Sequence, residues 1–129
     1  MHPILRNTLA IVVGIIACMV TNMATITIGG KLFPFELDLN NMRDLKEVAP
    51  FVTPFLAHAL GSLVGAVVGA KIATGQKLFA AMFIAVFHLA GGISMVVMYP
   101  APTWFSTLDL VVAYLPMGYI GWKLAIRSA

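Results

Sequence analysis

Two histidines inside long apolar stretches, His58 and His88, are the side chains of this sequence with the most versatile chemistry. A histidine can donate, accept or shuttle protons near neutral pH, and its ring nitrogens can ligate haem iron. Asn22 and Tyr114 place hydrogen-bonding groups in two further apolar stretches. Because polar groups in apolar helices usually face the interior of a bundle, we expect these four side chains to lie near one another.

Asp109 is the only acidic residue within the apolar stretches. It follows Ser106 by three positions, which is the spacing of a capping box at the start of a helix. A carboxylate in that position also interacts favourably with the positive end of the helix dipole. We therefore expect Asp109 to cap a helix, and we keep it beside the four groups above as a candidate ligand-binding residue.

These polar groups allow several functional hypotheses, beside the alternative that they only bond to one another and hold helices together. One is a site for a small ligand or ion, which a transporter or channel subunit would also need. Another is haem, because His58 and His88 would sit on neighbouring antiparallel helices with Gly61, Gly91 and Gly92 leaving room for a porphyrin. The sequence contains no serine–histidine–acid set, clustered carboxylates or metal-type histidine spacing, so it predicts neither an enzyme nor a metal site.

The composition indicates the environment of the elements that position these residues. Of the 129 residues, 60% are hydrophobic and 10% are charged, and the mean hydropathy is +0.96. Soluble domains have about 25% charged residues, and the 10% in this sequence is too few to cover a surface that faces water. We therefore expect a lipid bilayer to surround the chain. The net charge of +3 is typical of basic residues that flank membrane helices, and we expect no nucleic acid partner.

A helix needs about 20 mostly apolar residues to cross a bilayer. Four segments qualify: about 8–30, 51–73, 78–98 and 105–126. A polar outer loop, residues 31–50, separates the first two segments, and short connections join the others. The sequence therefore predicts an all-α fold, a single transmembrane domain over residues 1–129 that forms a four-transmembrane-helix bundle. Pro116 in the fourth span and the Gly91-Gly92 pair in the third could bend those helices.

Four apolar residues of the outer loop recur at every third position: Leu39, Met42, Leu45 and Val48. This spacing predicts a short interfacial helix that lies on the membrane surface with its apolar stripe down. A structural lid over the bundle is the simpler role for such a helix, and a ligand-gating or docking loop is the alternative.

Five of the eight basic residues fall on the side of the two termini, and three fall on the side of the loop 31–50. This bias predicts that both the N- and C-termini are cytoplasmic. The stretch "IIAC" ending at Cys18 is similar to a bacterial lipoprotein cleavage box. Because apolar residues continue to Gly30, we expect a membrane span rather than a cleaved signal peptide.

Small residues recur every four positions along the segment "LAHALGSLVGAVVGAKIA": Ala57, Gly61, Gly65, Gly69 and Ala73. Residues at this spacing share one face of a helix, and small side chains let two helix backbones approach closely in a membrane. A second row, Ser62, Ala66 and Ala70, runs beside the first. We expect one row to pack within the bundle, and the other is open to a homo-oligomer.

The stretches "PFLAHALGSLVGA" and "PAPTWFSTLDLVVAYLPMGY" resemble a group of small, uncharacterised bacterial four-helix membrane proteins. Some members of that group have a glutamate in the first span followed by a glycine–histidine pair, whereas this sequence reads "TNMATITIGGKL" there. The resemblance implies the fold and a bacterial inner (plasma) membrane, and it implies no activity.

We therefore expect a small integral membrane protein that is not an enzyme. A packing or accessory module, or a small-ligand-binding module, is the leading hypothesis. A transporter or channel subunit is the alternative, and it would use the polar cluster that we expect in the outer half of the membrane, His58, His88, Asn22 and Tyr114. A haem-binding electron carrier is the third. No cofactor is expected under the leading hypothesis.

Overall fold

The computed structural model describes residues 1–35 and 38–128. This part of the chain is all-α and contains no strand, as the sequence predicts. Its helices are α1 (Pro3–Leu32), α2 (Ala49–Ile72), α3 (Lys77–Met98), α4 (Thr103–Val112) and α5 (Leu115–Arg127). The loop end includes the segment between α1 and α2 and the α3–α4 connection, and the terminal end includes both termini and the α2–α3 turn.

Three helices, α1, α2 and α3, are long and apolar enough to cross a membrane. With 30, 24 and 22 residues, they are roughly 45, 36 and 33 Å long at the rise of an α-helix. These helices coincide closely with the first three predicted spans. Many large apolar side chains remain exposed along them, including Val12, Ile16 and Val20 on α1 and Phe83 and Val86 on α3.

The prediction of a fourth continuous spanning helix over residues 105–126 is wrong. This segment forms two shorter helices of 10 and 13 residues, α4 and α5, separated at Ala113 and Tyr114. Pro116 has no N–H to donate to the carbonyl of Val112, and its ring would clash with that carbonyl in a continuous helix. Tyr114 therefore leaves the helical conformation, with φ −115° and ψ −80°. In α3, by contrast, the Gly91-Gly92 pair does not interrupt the helix.

The helix α2 lies at the centre of the bundle and contacts α1, α3 and α5. Its predicted glycine row is buried against α1 and α3. A Cβ atom added to Gly65 would lie 2.7 Å from Cβ of Cys18 and 2.8 Å from the carbonyl oxygen of Gly14, both on α1. The side chain of Ile84 on α3 is fully buried and occupies the space left by Gly14 and Gly69. The glycines thus allow a close approach of α1 and α2.

The second small-residue row of α2 packs within the same chain. Ala66 and Ala70 are fully buried and form an apolar cluster with Ala81 of α3 and Ala125 of α5. A Cβ added to Gly121 of α5 would lie 2.8 Å from the backbone oxygen of Leu63. This row, which the sequence left open to a dimer, is therefore covered by α5 and α3.

The predicted interfacial helix is also wrong, because residues 38–48, over which its apolar positions fall, contain two turns and no helix. The N–H of Asn41 donates to the carbonyl of Asp38 at 2.9 Å, and that of Leu45 donates to Met42 at 3.2 Å. The Asp38 carboxylate accepts bonds from the side chain of Asn41 at 2.8 Å and from the N–H of Asn40 at 3.1 Å. These bonds lower the pKa of Asp38, the side chain of Asn41 having the larger effect. Such local side-chain bonds compete with helix formation.

The loop nevertheless covers the bundle. Met42 is buried in a cluster with Phe51 at the start of α2 and Phe105 in α4. Leu45 and Tyr99 pack against the same cluster. We call these five residues the loop lid. Residues 36 and 37 of the predicted outer loop lie outside the described residues.

Candidate functional site

The carboxylate of Asp109 is the centre of a buried polar cluster between α2 and α4. Its Oδ1 atom lies 2.8 Å from Nδ1 of His58, and its Oδ2 atom lies 3.0 Å from the same nitrogen. The hydroxyl of Tyr114 donates to Oδ2 at 3.1 Å. Only 2% of Asp109 is exposed. Both carboxylate oxygens are thus bonded to side chains that come from different elements.

The expectation that Asp109 caps a helix is therefore wrong. The helix α4 begins at Thr103, after Pro102, so Ser106 and Asp109 both lie inside it. The Oγ atom of Ser106 is buried and has no hydrogen-bond partner within the described chain. Asp109 instead bonds to a side chain 51 positions earlier in the sequence.

Tyr114 reaches Asp109 because the fourth segment breaks where it does. Residues five apart in a continuous α-helix do not face each other, but Tyr114 occupies the non-helical position between α4 and α5. Its side chain is fully buried against α3 at Gly92. A Cβ atom at Gly92 would collide with the Tyr114 hydroxyl and would lie 2.6 Å from its Cζ atom. Gly92 therefore provides the space that Tyr114 occupies.

His88 of α3 forms a second polar pair beside the first. Its Nδ1 atom lies 2.9 Å from the hydroxyl of Ser62 on α2. The ring of Tyr114 packs against both histidines, with centroids 5.0 Å from His88 and 5.6 Å from His58. The two histidine rings are 6.0 Å apart and nearly perpendicular.

Asn22 of α1 lies next to this cluster at Gly61. A Cβ atom added to Gly61 would lie 3.0 Å from Cε1 of His88 and 3.3 Å from Cβ of Asn22. Asn22 is 9% exposed, and its Oδ1 atom has no hydrogen-bond partner among the residues that the structure describes. The glycine row of α2 thus lets both side chains approach the backbone of the central helix.

The structure brings together the five binding residues considered from the sequence, namely His58, His88, Asn22, Tyr114 and Asp109. It adds Ser62, which the sequence indicated as a packing position, and Gly92, which the sequence indicated as a bending position or as space for a porphyrin. The signal for Ser62 was its spacing of four from His58, which places both side chains on one face of α2. No local signal indicated that Gly92 would accommodate Tyr114.

A cavity of about 260 Å³ lies at the loop end beside this cluster. His58 and Asp109 form part of its wall. The other polar side chains of the wall are Thr53 and Tyr99, and the remainder is apolar, including Ile26, Met42, Phe51, Met95 and Phe105. A pocket of this composition suits a largely apolar molecule with few polar groups.

The same geometry bears on the haem hypothesis. Each histidine has its Nδ1 atom bonded to a side chain, an arrangement that also orients metal-ligating histidines. However, the ring of Tyr114 packs against both histidines, so a porphyrin bound by both would have to displace it. Within the described residues, no three histidine, cysteine, aspartate or glutamate side chains are grouped so that they could hold a metal ion.

Comparison with known proteins adds no further constraint, since no family model, curated protein or solved structure matches this chain.

Proposed function

We propose that this chain is an integral membrane protein that crosses the bilayer four times. The support is that α1, α2 and α3 are each long and apolar enough to cross, and that their exposed surface is largely apolar. Residues 103–127, which include α4 and α5, would complete the fourth crossing at roughly 37 Å if counted at helical rise. The basic residues of the terminal end favour cytoplasmic termini, and the resemblance to bacterial proteins favours an inner membrane.

Its function, in this proposal, is to bind a small and largely apolar ligand in the loop-end cavity. The observation on which this depends is the pair of buried Asp109 and partly buried His58 in the wall of a largely apolar cavity. Ionisable groups within a membrane are costly and usually have a functional role. Neutral groups such as Ser62 could hold the helices together at a smaller desolvation cost. A pair that lines a cavity can instead give the ligand a polar anchor.

Thermal unfolding of the purified chain in nanodiscs tests this function. We would add four probes with the same decyl tail and different head groups: decylbenzene, decylphenol, decylamine and decylbenzoquinone. At least one probe should raise the melting temperature of the wild type. Val96→Phe, which fills the cavity from a half-buried wall position, should abolish the shift. The neighbouring Val97→Phe, at an exposed position, is the matched control and should retain it.

If no probe stabilises the wild type, or if Val96→Phe responds as Val97→Phe does, the binding function is refuted. A packing or accessory role, in which the polar groups only connect the helices, would then remain.

A transporter or channel subunit is the second candidate. The observation that favours it is the break at Ala113 and Tyr114, directly beside Asp109. Many transporters bind substrates or ions where a membrane helix is interrupted. Proteoliposomes containing a pH-sensitive dye would test for proton movement. This candidate requires a flux that Asp109→Asn abolishes, and it fails if the flux equals that of empty liposomes.

A further inference from the structure

The polar atom of the His58–Asp109 pair that remains for a ligand is Nε2 of His58. Both oxygens of Asp109 are bonded, one to His58 alone and the other to His58 and Tyr114. Nδ1 of His58 is bonded to Asp109, whereas Nε2 has no hydrogen-bond partner within residues 1–35 and 38–128. The side chain of His58 retains 19% exposure and lines the cavity. Its outer ring nitrogen is therefore the anchor of the site.

The charge of the pair determines whether this anchor donates or accepts. A histidine and a carboxyl group that share a proton form a pair with no net charge, which is the form that an apolar interior favours. A neutral pair holds two protons. The hydroxyl of Tyr114 donates to Oδ2, so the first proton lies between Nδ1 and Oδ1, on either atom, and the second is on Nε2. Nε2–H is thus a hydrogen-bond donor, and the ligand must supply an acceptor.

The direction of access follows from the wall of the cavity. On the loop side, Met42 is buried against Phe51 and Phe105, so these three side chains cover the cavity at the end of the bundle, and the exposed Leu39 of the loop also borders it. On the lateral side, the wall includes Ile26 of α1 and Met95 of α3, and both side chains are exposed on the outer surface. Ile26 precedes the end of α1 by six residues, or about 9 Å along the helix. The lateral opening therefore lies within the apolar part of the surface.

We propose that the ligand is a membrane-dissolved carbonyl compound, such as a quinone or an aryl ketone, that reaches the cavity from the bilayer between α1 and α3 and accepts a hydrogen bond from Nε2 of His58. This inference rests on the proposed binding function and specifies its ligand. The volume of about 260 Å³ is below the usual range of ligand pockets. It suits a ligand whose compact head group occupies the cavity and whose hydrocarbon tail passes between Ile26 and Met95 into the lipid.

Photolabelling of the full chain in nanodiscs tests both parts of the proposal. The probe is 4-decylbenzophenone, an aryl ketone whose excited carbonyl oxygen takes a hydrogen atom from a nearby C–H bond. An O–H bond forms, and the two carbon radicals then join in a C–C bond. We expect saturable labelling of cavity residues, with Met42 and Met95 as the main sites. Decylbenzoquinone should compete with this labelling at a concentration roughly 3- to 30-fold lower than decylbenzene, the ratio that one hydrogen bond between membrane helices provides.

Two variants separate the anchor from the access route. Ile26→Trp should slow labelling of Met42 severalfold, whereas Met23→Trp, an exposed position on the same helix that does not line the cavity, should not. The double variant His58→Phe with Asp109→Asn removes the donor without leaving a buried charge, and it should lose the preference for decylbenzoquinone. Circular dichroism would confirm that each variant is folded.

The outcomes are distinguishable. Equal competition by decylbenzoquinone and decylbenzene, at cavity residues, would overturn the carbonyl assignment and leave the binding function intact. Equal labelling rates in Ile26→Trp and Met23→Trp would overturn the lateral route. Unsaturable labelling spread over the exposed faces of α1 and α3 would overturn the inference entirely, and the absence of thermal shifts with all four decyl probes would independently refute the binding function.

Discussion

The replacement Gly92→Ala tests the part of the structure that holds Tyr114 against Asp109. A Cβ atom there would collide with the Tyr114 hydroxyl and lie 2.6 Å from Cζ and 3.1 Å from Cε2. Rotation of the hydroxyl cannot relieve contacts with ring carbons, and the ring is fully buried against both histidines. The ring must therefore move, and its bond to Asp109 is lost.

The expected cost follows from three contributions. Overpacking a buried site costs about 1–3 kcal/mol, and a lost hydrogen bond between membrane helices costs about 0.6–2 kcal/mol. Alanine is favoured over glycine in a helix by about 1 kcal/mol. Gly92→Ala should thus lower the free energy of unfolding by about 2 kcal/mol. In the adjacent Gly91→Ala, no atom lies within 4 Å of the added Cβ. This variant therefore gains only the helix preference of alanine, which should raise its free energy of unfolding by about 1 kcal/mol.

The assay is unfolding in mixed micelles of dodecyl maltoside and sodium dodecyl sulfate, followed by circular dichroism. The two alanine variants should differ by about 3 kcal/mol, with Gly92→Ala the less stable. Equal stability of the two variants would refute the packing of Tyr114 on α3 described above.

Three further predictions concern other parts of the molecule. Gly65→Ala should have a free energy of unfolding about 2 kcal/mol below that of Gly30→Ala in the same micelle assay, because its added Cβ meets the Gly14 backbone. Ser106→Ala should leave stability unchanged or raise it by up to about 1 kcal/mol, since the buried hydroxyl has no partner, whereas a helix-capping serine would make the same change destabilising. Asn41→Ala should raise the pKa of Asp38 towards its ordinary value, measured by NMR titration, because the main bond that stabilises the carboxylate is lost.

The controls for these predictions come from the same chain. Gly30→Ala matches Gly65→Ala, since no atom lies within 4 Å of a Cβ at Gly30. For Asp38, a lowered pKa in the folded loop means that the stabilisation is present above the pKa of the unfolded chain and is lost as the pH falls through the folded value. An Asp38 titration that is identical in Asn41→Ala and wild type would contradict the role of that bond.

The packing of α2 could be predicted because it depends on a periodic pattern. Glycines at every fourth position must share a face, whatever the partner helix is. The hydrogen-bond partner of Asp109 could not be predicted in this way. The spacing from Ser106 is a local signal, but the true partner, His58, lies 51 positions away and is set by tertiary packing.

The loop and the fourth segment show two other limits of sequence reasoning. The apolar spacing of the loop indicated a helix, but the Asp38 carboxylate instead accepts bonds from the backbone N–H of Asn40 and from the Asn41 side chain in a turn. Met42 is still buried, as an apolar stripe requires. Pro116 indicated a bend, but its effect on the neighbouring Tyr114 depends on the space at Gly92, which no local pattern reveals.

The central claim is that His58 and Asp109 form a pair that meets a ligand inside the bilayer. Solid-state NMR of the full chain in lipid bilayers, with ¹⁵N-labelled histidine and ¹³C-labelled aspartate, measures this pair directly. A strong dipolar coupling between Nδ1 of His58 and Cγ of Asp109 is predicted from the 2.8 Å separation of Nδ1 and Oδ1. Decylbenzoquinone should then shift the Nε2 resonance of His58 and leave that of His2, at the terminal end, unchanged. Absence of the coupling, or equal responses of the two histidines, would contradict the account.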